Sequence, residues 1–357
     1  MSPTRLLVAF GGASSEHEIS LRSASSVLCA VDRQRWQPVP LAIARDGTWR
    51  TGSSSDQPDP TELAGLVANG EVVADLRALK AELAFPVLHG PYGEDGTIQG
   101  LFEILGLPYV GSGVLASALC MDKSAQKHLL ASAAPDVPLV PWREFLASDL
   151  ATDAGIERAV QEIRDTLGFP CFVKPVNMGS SVGVSRARGV DELPAALRGA
   201  ARYDHRVIVE QGIDAREIEI AVLGNGGDET RLSSPGEIGL PPGVWYDYET
   251  KYVNDVSTLH IPASLPDDAV ETIRRTALRA FQVTGCKGLA RIDFLLCRKT
   301  GTAYLNELNT MPGFTSISMY PKMMGHAGVS YPELITALCE LALQHHQARR
   351  QLSNLRE

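Results

Sequence analysis

The sequence predicts a mixed α/β protein that opens on a doubly wound α/β unit and becomes α+β in its later part. Three stretches carry that expectation. Residues 5–10 (Arg-Leu-Leu-Val-Ala-Phe) form an apolar, β-rich run followed by Gly11-Gly12 and a polar turn into a helix, the opening of a doubly wound unit. Residues 171–185 read as a short strand, a Gly/Ser-rich loop and a second strand. Residues 291–297 and 303–309 are strand-like runs flanking the turn-forming stretch Arg298-Lys299-Thr300-Gly301-Thr302, a β-hairpin.

Along the chain, Glu18 to about Val31 has helical spacing, and further strands are expected at Val39 to Ala44 and Leu83 to Leu88. Helices are expected at Thr97 to Leu105 and at Asp122 to Ser132. Residues 51–60, rich in Ser, Asp and Pro, read as a surface loop. The Gly111-Ser112-Gly113 stretch interrupts the periodic pattern and places a boundary near Met121, giving units 1–120, 121–212 and 213–357. The middle unit reads helix, strand, Gly-rich loop, strand, helix, strand; the last holds the hairpin and ends in an amphipathic helix, Tyr331 to Gln347. No internal repeat is present.

At 357 residues the chain can bury two or three substantial cores, and 44% hydrophobic with 21% charged residues is a soluble globular composition. With 33 Lys+Arg against 42 Asp+Glu the net charge is −9, and no long basic run appears, which argues against nucleic acid and anionic membrane as partners. The six cysteines (Cys29, Cys120, Cys171, Cys286, Cys297, Cys339) are scattered without C-x-x-C spacing, so free thiols in a reducing compartment are expected rather than disulfides or zinc. A strand begins within a few residues of the N-terminus, with no basic leader and apolar h-region and no apolar stretch of membrane-spanning length. Together these features predict a cytoplasmic protein.

The hairpin carries the most chemistry. Pairing symmetric about Thr300 sets Asp293 opposite Glu307 and Arg291 opposite Asn309, with all four side chains on one face. Two acids directly opposite repel, and a divalent cation removes the conflict; carboxylate and amide oxygens beside an arginine suit Mg²⁺ carrying substrate phosphates. The plainer alternative is a solvated polar face with a local Asp293–Arg291 ion pair. Residues 310–316 follow at once and include Pro312 and Gly313; the Gly313 N–H beside the Arg291 guanidinium would make an oxyanion hole.

In residues 171–185, Lys174 supplies a point charge and the loop supplies backbone N–H groups and the Ser180 and Ser181 hydroxyls, a phosphate cradle that is not a Walker A loop. Lys123 adds a second charge. Residues 206–210 read as an apolar strand ending in a hinge, with backbone groups and Glu210 for an adenine edge and Glu217 for ribose hydroxyls. In isolation each segment also fits a flexible connection or an ordinary buried strand with an exposed end.

These motifs, taken in order, resemble the ATP-grasp superfamily and within it the D-alanine-D-alanine ligases. The resemblance runs from about Leu6 to about Leu343 on residues 11–21 (Gly-Gly-Ala-Ser-Ser-Glu-His-Glu-Ile-Ser-Leu), Leu88-His89-Gly90 with residues 93–96 (Gly-Glu-Asp-Gly), Gly111-Ser112-Gly113 with Met121-Asp122-Lys123, the Lys174 to Ser185 loop, residues 246–252 (Tyr-Asp-Tyr-Glu-Thr-Lys-Tyr), and the Arg291 to Ser318 block. It implies a three-domain ATP-grasp architecture and an ADP-forming ligase that activates one D-alanine as an acylphosphate for attack by the amine of a second, supplying peptidoglycan precursors. It implies two Mg²⁺ or Mn²⁺ ions on Asp293, Glu307 and Asn309, phosphates on Lys123, Lys174, Ser180 and Ser181, adenosine on Glu210 and Glu217, and a homodimer. The first ammonium would meet Glu16 near His89, and Lys251 and Ser318 would hold the second carboxylate. Arg291 and Gly313 would stabilise the tetrahedral oxyanion, while Glu16, Ser180 and Tyr252 would close a loop over the site.

Without the resemblance, Glu16 fits a helix N-terminal acid, His89 a satisfied strand-end histidine, and Tyr248 and Tyr252 exposed loop aromatics. A D-alanine–D-lactate or D-alanine–D-serine ligase would share the activation chemistry, although Lys251-Tyr252 favours the dipeptide by resemblance. A non-catalytic nucleotide-binding regulator is disfavoured by the retained acids, Arg291 and both lysines. A dinucleotide-binding dehydrogenase is disfavoured because Gly11-Gly12 does not open a G-x-G-x-x-G pattern.

Overall fold

In a computed structural model that describes residues 2–239 and 258–352, three sheets organise the chain. The first arises from β1 (Thr4–Gly11), α1 (His17–Ala30), β2 (Trp36–Ile43), β3 (Trp49–Thr51), α2 (Pro60–Asn69), β4 (Glu71–Val72), β5 (Leu83–Pro86) and α3 (Thr97–Leu105). Its order is β4-β3-β2-β1-β5, with β1 parallel to both β2 and β5. Period-two alternation splits β1 between two cores: Leu6, Val8 and Phe10 face one, Leu7 and Ala9 the other. Burial on both faces is what a doubly wound sheet requires, and it explains why residues 6–10 are continuously apolar.

The expected loop at residues 51–60 is shorter than its composition suggests, because Thr51 closes β3 and Pro60 opens α2. Asp59 is the N-cap, accepting from Glu62 N at 2.7 Å, and Pro60 occupies the first turn, where its missing N–H costs nothing.

Next come α4 (Val114–Met121), α5 (Lys123–Ala133), β6 (Trp142–Leu146), α6 (Asp153–Thr166), β7 (Cys171–Pro175), β8 (Ser185–Ala187), α7 (Leu193–Ala200) and β9 (Arg206–Gln211). The antiparallel order is β6-β9-β7-β8. Val173, Val207 and Val209 turn toward α6 and α7, which carry Ile156, Ile163 and Leu197 into the same core. Alternation sends Phe172, Lys174 and Glu210 to the other face, because directly paired residues share a side. The sequence reading lacked β6 and α6; α6 is capped by Thr152 and buries a helical stripe of Ile156, Ala159 and Ile163.

The third sheet uses β10 (Ala215–Gly224), β11 (Arg231–Leu232), β12 (Gly236–Gly239), β13 (Thr258–His260), β14 (Gly288–Cys297) and β15 (Ala303–Asn309), with α8 (Asp267–Val283) on one face. Ile218, Ile220, Ile292 and Phe294 face α8, in a core that also takes Ala116, Cys120, Leu130 and Ala134 from α4 and α5. Helices α9 (Met319–His326) and α10 (Tyr331–Arg350) return to the first sheet's core.

Candidate active site

The hairpin β14–β15 pairs Arg291 with Asn309 and Asp293 with Glu307, as the sequence predicts. The route differs from simple symmetry: nearer the turn Phe294 pairs with Leu305, so Asn306 is an extra residue in β15, a β-bulge beside the acids. Strand β10 adds Glu219 opposite Asp293, so Glu219, Asp293 and Glu307 form one row across three strands. Glu219 had not been singled out in the sequence, where Glu217 and Glu219 look alike; only the register distinguishes them.

Arg291 compensates this row. Its Nε and Nη2 donate to the two Asp293 oxygens at 2.8 and 2.7 Å, and Nε lies 3.1 Å from Glu219 Oε2. Burial opposes the guanidinium's charge, but Asp293 and Glu219 outweigh it and hold its pKa well above the ordinary arginine value. Asn309 Nδ2 also donates to Asp293 at 3.0 Å. The ion pair of the plainer alternative is therefore present, within a larger acidic row.

The second face bears the lysines. Glu210 Oε2 is 2.5 Å from Lys174 Nζ and Oε1 is 2.8 Å from Lys127 Nζ. Glu210 is 3% exposed, which corrects the expectation of an open strand end: its carboxylate is committed to two lysines. Burial alone would raise its pKa, but Lys127 and Lys174 outweigh that and hold it at about 2. Burial likewise opposes charge on Lys174, and Glu210, aided by the fields of Glu307 and Glu217, holds its pKa above the usual lysine value. Those two acids stand on the third sheet, so Lys174 of the central sheet lies within their field.

A pH dependence follows. A carboxylate depressed on folding contributes stability fully present above its unfolded pKa of about 4.3 and lost as pH falls through about 2. Urea unfolding between pH 5 and pH 2.5 is expected to show a progressive loss of stability, part of it absent from a Lys127→Met/Glu210→Gln variant that lacks this ion pair.

Lys123 opens α5 after the Asp122 N-cap, and its Nζ donates to Met178 O at 2.6 Å, tying the helix to the Gly/Ser loop. Asp122 also pairs with Arg206 of β9. Ser180 and Ser181 have φ of 48° and 59°, left-handed conformations uncommon for residues with a Cβ and frequent at ligand-binding turns. The Ser180 hydroxyl donates to Glu16 Oε1. Small residues surround that carboxylate: a Cβ on Gly90 or Gly179 would lie 2.8 or 3.0 Å from Glu16 Oε2, and Gly90 also has a left-handed φ of 74° that favours glycine. Glu16 and Ser180, two of the three residues expected to close the site, are thus hydrogen-bonded to each other. Lys251 and Tyr252, with Tyr248, lie outside the described residues.

His89 is 3% exposed; its Nε2 is 3.0 Å from Ser23 Oγ and its Nδ1 is 3.1 Å from Met311 O. Burial works against its charged form, yet Glu94, with Glu16 behind it, holds its pKa above the ordinary histidine value. Ser23 Oγ also accepts from Phe314 N at 3.3 Å, so the ring helps anchor residues 311–314, where Gly313 lies, to the first unit. Ser318 Oγ accepts from Thr315 N at 3.2 Å and lies 3.2 Å from where a Gly313 Cβ would be, placing Ser318 and Gly313 side by side.

A doubly wound sheet followed by two antiparallel sheets, one bearing Lys174 and the other an arginine with a row of acids in whose field that lysine lies, defines an ATP-grasp ligase. Family profiles described as D-ala D-ala ligase N-terminus and D-ala D-ala ligase C-terminus match residues 5–112 and 131–340. A D-alanine–D-alanine ligase of Heliobacterium modesticaldum is 45% identical over 365 residues, covering 98% of this chain and 97% of its own. The solved D-alanine-D-alanine ligase of Coxiella burnetii superposes with a TM-score of 0.82 at 34% identity, covering 98% of this chain and 97% of its own. The VanG D-Ala:D-Ser ligase of Enterococcus faecalis also gives 0.82, at 35% identity, covering 95% and 99%. The chain belongs to the D-alanine–D-alanine ligase family.

Proposed function

We infer that this chain joins two D-alanine molecules, converting ATP to ADP and phosphate, and yields D-alanyl-D-alanine for peptidoglycan precursors. What supports this beyond family membership is Lys174 of the central sheet lying in the field of Glu217 and Glu307, with Glu219, Arg291 and Asp293 beside those acids on the same three strands. ATP phosphates would lie against Lys123, Lys174 and the Ser180–Ser181 backbone, with adenosine toward Glu217 and the backbone at Glu210. The first D-alanine carboxylate attacks the γ-phosphorus and ADP leaves. The amine of the second D-alanine then attacks the acyl carbon and phosphate leaves.

Among the described residues no group of three or more His, Cys, Asp or Glu side chains is arranged to enclose a metal ion. The donor set nevertheless fits Mg²⁺ or Mn²⁺: Asp293 and Glu307 stand directly opposite with Asn309 adjacent, and Mg²⁺ is typically held by one or two carboxylates plus substrate phosphates. Two such ions on Asp293, Glu307 and Asn309 would neutralise charge on the phosphates. Arg291, held by two acids, would with the Gly313 N–H meet the oxyanion of the tetrahedral intermediate. Glu16 would receive the first ammonium, with His89 shaping that end, and Ser318 and Lys251 the second carboxylate. Closure by Glu16, Ser180 and Tyr252 would keep water from the acylphosphate.

The three sheets correspond in this proposal to units 1–120, 121–212 and 213–357, with α9 and α10 returned to the core of the first. No helix among the described residues is long and apolar enough to cross a membrane. The family resemblance and the need for ATP support a cytoplasmic homodimer with small-molecule substrates and no nucleic acid or membrane partner.

The test is ATP-dependent phosphate release with D-alanine alone, then with D-lactate or D-serine added, and products identified by mass. Ligation with D-alanine alone supports the proposal; phosphate release that requires D-serine or D-lactate overturns the dipeptide assignment. Tyr252 is proposed to help select an amine over a hydroxyl nucleophile. Tyr252→Phe is expected to gain D-alanyl-D-lactate and lose some dipeptide at neutral pH. An unchanged product ratio across a pH series would leave Tyr252 a role in closure alone.

A further inference from the structure

Lys127 follows Lys123 by four residues on α5, so both lysines rise from one side of that helix toward the central sheet. Their fates differ. Lys123 reaches the Gly/Ser loop, whereas Lys127 is 1% exposed, lies 5.5 Å from the centre of the Trp142 ring and ends 2.8 Å from Glu210 Oε1. Trp142 is itself paired with Glu210 across β6 and β9, so aromatic ring, lysine and carboxylate form one packed unit. The other Glu210 oxygen takes Lys174, whose side chain keeps 17% of its surface exposed while Lys127 keeps 1%. The cluster therefore holds two cations and one anion, and only Lys174 has appreciable contact with solvent.

We propose that Lys127 is a positioning residue for nucleotide binding: it neutralises Glu210 from within, so that the charge of Lys174 serves the phosphates of ATP. This rests on the assignment of the Lys174 face to ATP. An isolated Glu210–Lys174 pair would be neutral overall, and drawing Lys174 toward a phosphate would strand a buried carboxylate, a strongly unfavourable outcome. With Lys127 in place Glu210 keeps a partner when Lys174 turns outward. Glu307 and Glu217 add negative field around Lys174, but removing Lys127 lowers the local charge by one unit whatever they contribute.

Lys127 is too enclosed for contact with a ligand to be its main use, so its influence travels through Glu210. That separates it from Lys123 and Lys174 and gives a charge-balance test. Binding of ADP with Mg²⁺ is measured by calorimetry on the full chain, with thermal unfolding to establish that each variant is folded. Lys127→Met is expected to raise the Kd for ADP roughly tenfold or more, the scale of losing one unit charge from a partly buried cluster at an effective dielectric near 20. The KM for D-alanine should move less than twofold.

In Lys127→Met/Glu210→Gln the buried carboxylate is gone as well, Lys174 is released, and most of the lost affinity should return. Recovery in the double variant is the result a merely structural role would not give. Lys127→Gln, whose amide can still donate to Glu210, stands in if the methionine variant is unstable and should show the same loss. A Kd within twofold of the parent in the folded single variant overturns the proposal. So does a folded double variant that binds no better than the single, or a parallel rise in the KM for D-alanine. A parent protein that binds no ADP would instead overturn the assignment of this face to ATP, so the two failures are distinct.

Discussion

Glu307→Gln is expected to bring ATP-dependent dipeptide formation down by more than the roughly 10–100-fold that follows loss of a metal ligand's supporting partner. Glu307 stands opposite Asp293 in the pairing of β14 with β15, and Glu219 completes the row. Exchanging one carboxylate for an amide keeps the volume and removes a charge from a site that, in the proposed function, would meet divalent cations. Within the protein alone the same exchange relieves repulsion between neighbouring acids, so stability should hold or rise. Thermal unfolding and turnover measured together check both signs. Parent-level turnover in a folded Glu307→Gln enzyme would remove Glu307 from the metal assignment.

Arg291→Met should cost roughly 10²–10³ in kcat, the usual effect of deleting one oxyanion donor, with a much smaller change in the KM for either D-alanine. Arg291 is held by Asp293 on two nitrogens and lies against Glu219, so its guanidinium is oriented before substrate arrives. Its deletion also leaves two enclosed carboxylates without their cation, and a stability loss on the order of 3–5 kcal/mol should accompany the kinetic one. Arg291→Lys separates the effects: it restores the charge and part of the stability, but cannot reproduce the two-nitrogen geometry and should remain impaired in kcat. A KM defect alone would make Arg291 a substrate-binding residue.

The hairpin pairs were legible because both strands are bounded by turn residues and alternation fixes which side chains share a face. The bulge at Asn306 was not legible, since nothing in the local composition of β15 marks an extra residue. The helix expected near Thr97 to Leu105 was legible, helped by a strong apolar stripe and Gly106 beyond its end. Helix α2 was hidden because Asp59-Pro60 serves equally as turn chemistry and as a helix start. Among site residues, Lys123, Lys174, Asp293 and Glu307 stood out through motif position. Lys127 and Glu219 were missed for opposite reasons: a helical lysine is ordinarily solvated, and an acid in an alternating strand gives no sign of what lies across the sheet. The four-residue spacing from Lys123 is the one signal that could have pointed to Lys127.

Helix α10 supplies Leu334, Ile335 and Leu338 to the core that Leu6, Val8 and Phe10 enter from β1. During synthesis, therefore, the opening strand and the helix α1 that packs on it leave the ribosome long before the last helix that completes their core. Until residues 331–350 emerge, the part of that core which α10 fills stays open beside α1, with apolar side chains exposed, a condition that invites association with other nascent chains or capture by chaperones. A stop codon anywhere before Tyr331 would make that exposure permanent. Damage to the last helix would thus be felt first at the opposite end of the polypeptide, as insolubility of a unit whose own sequence is intact.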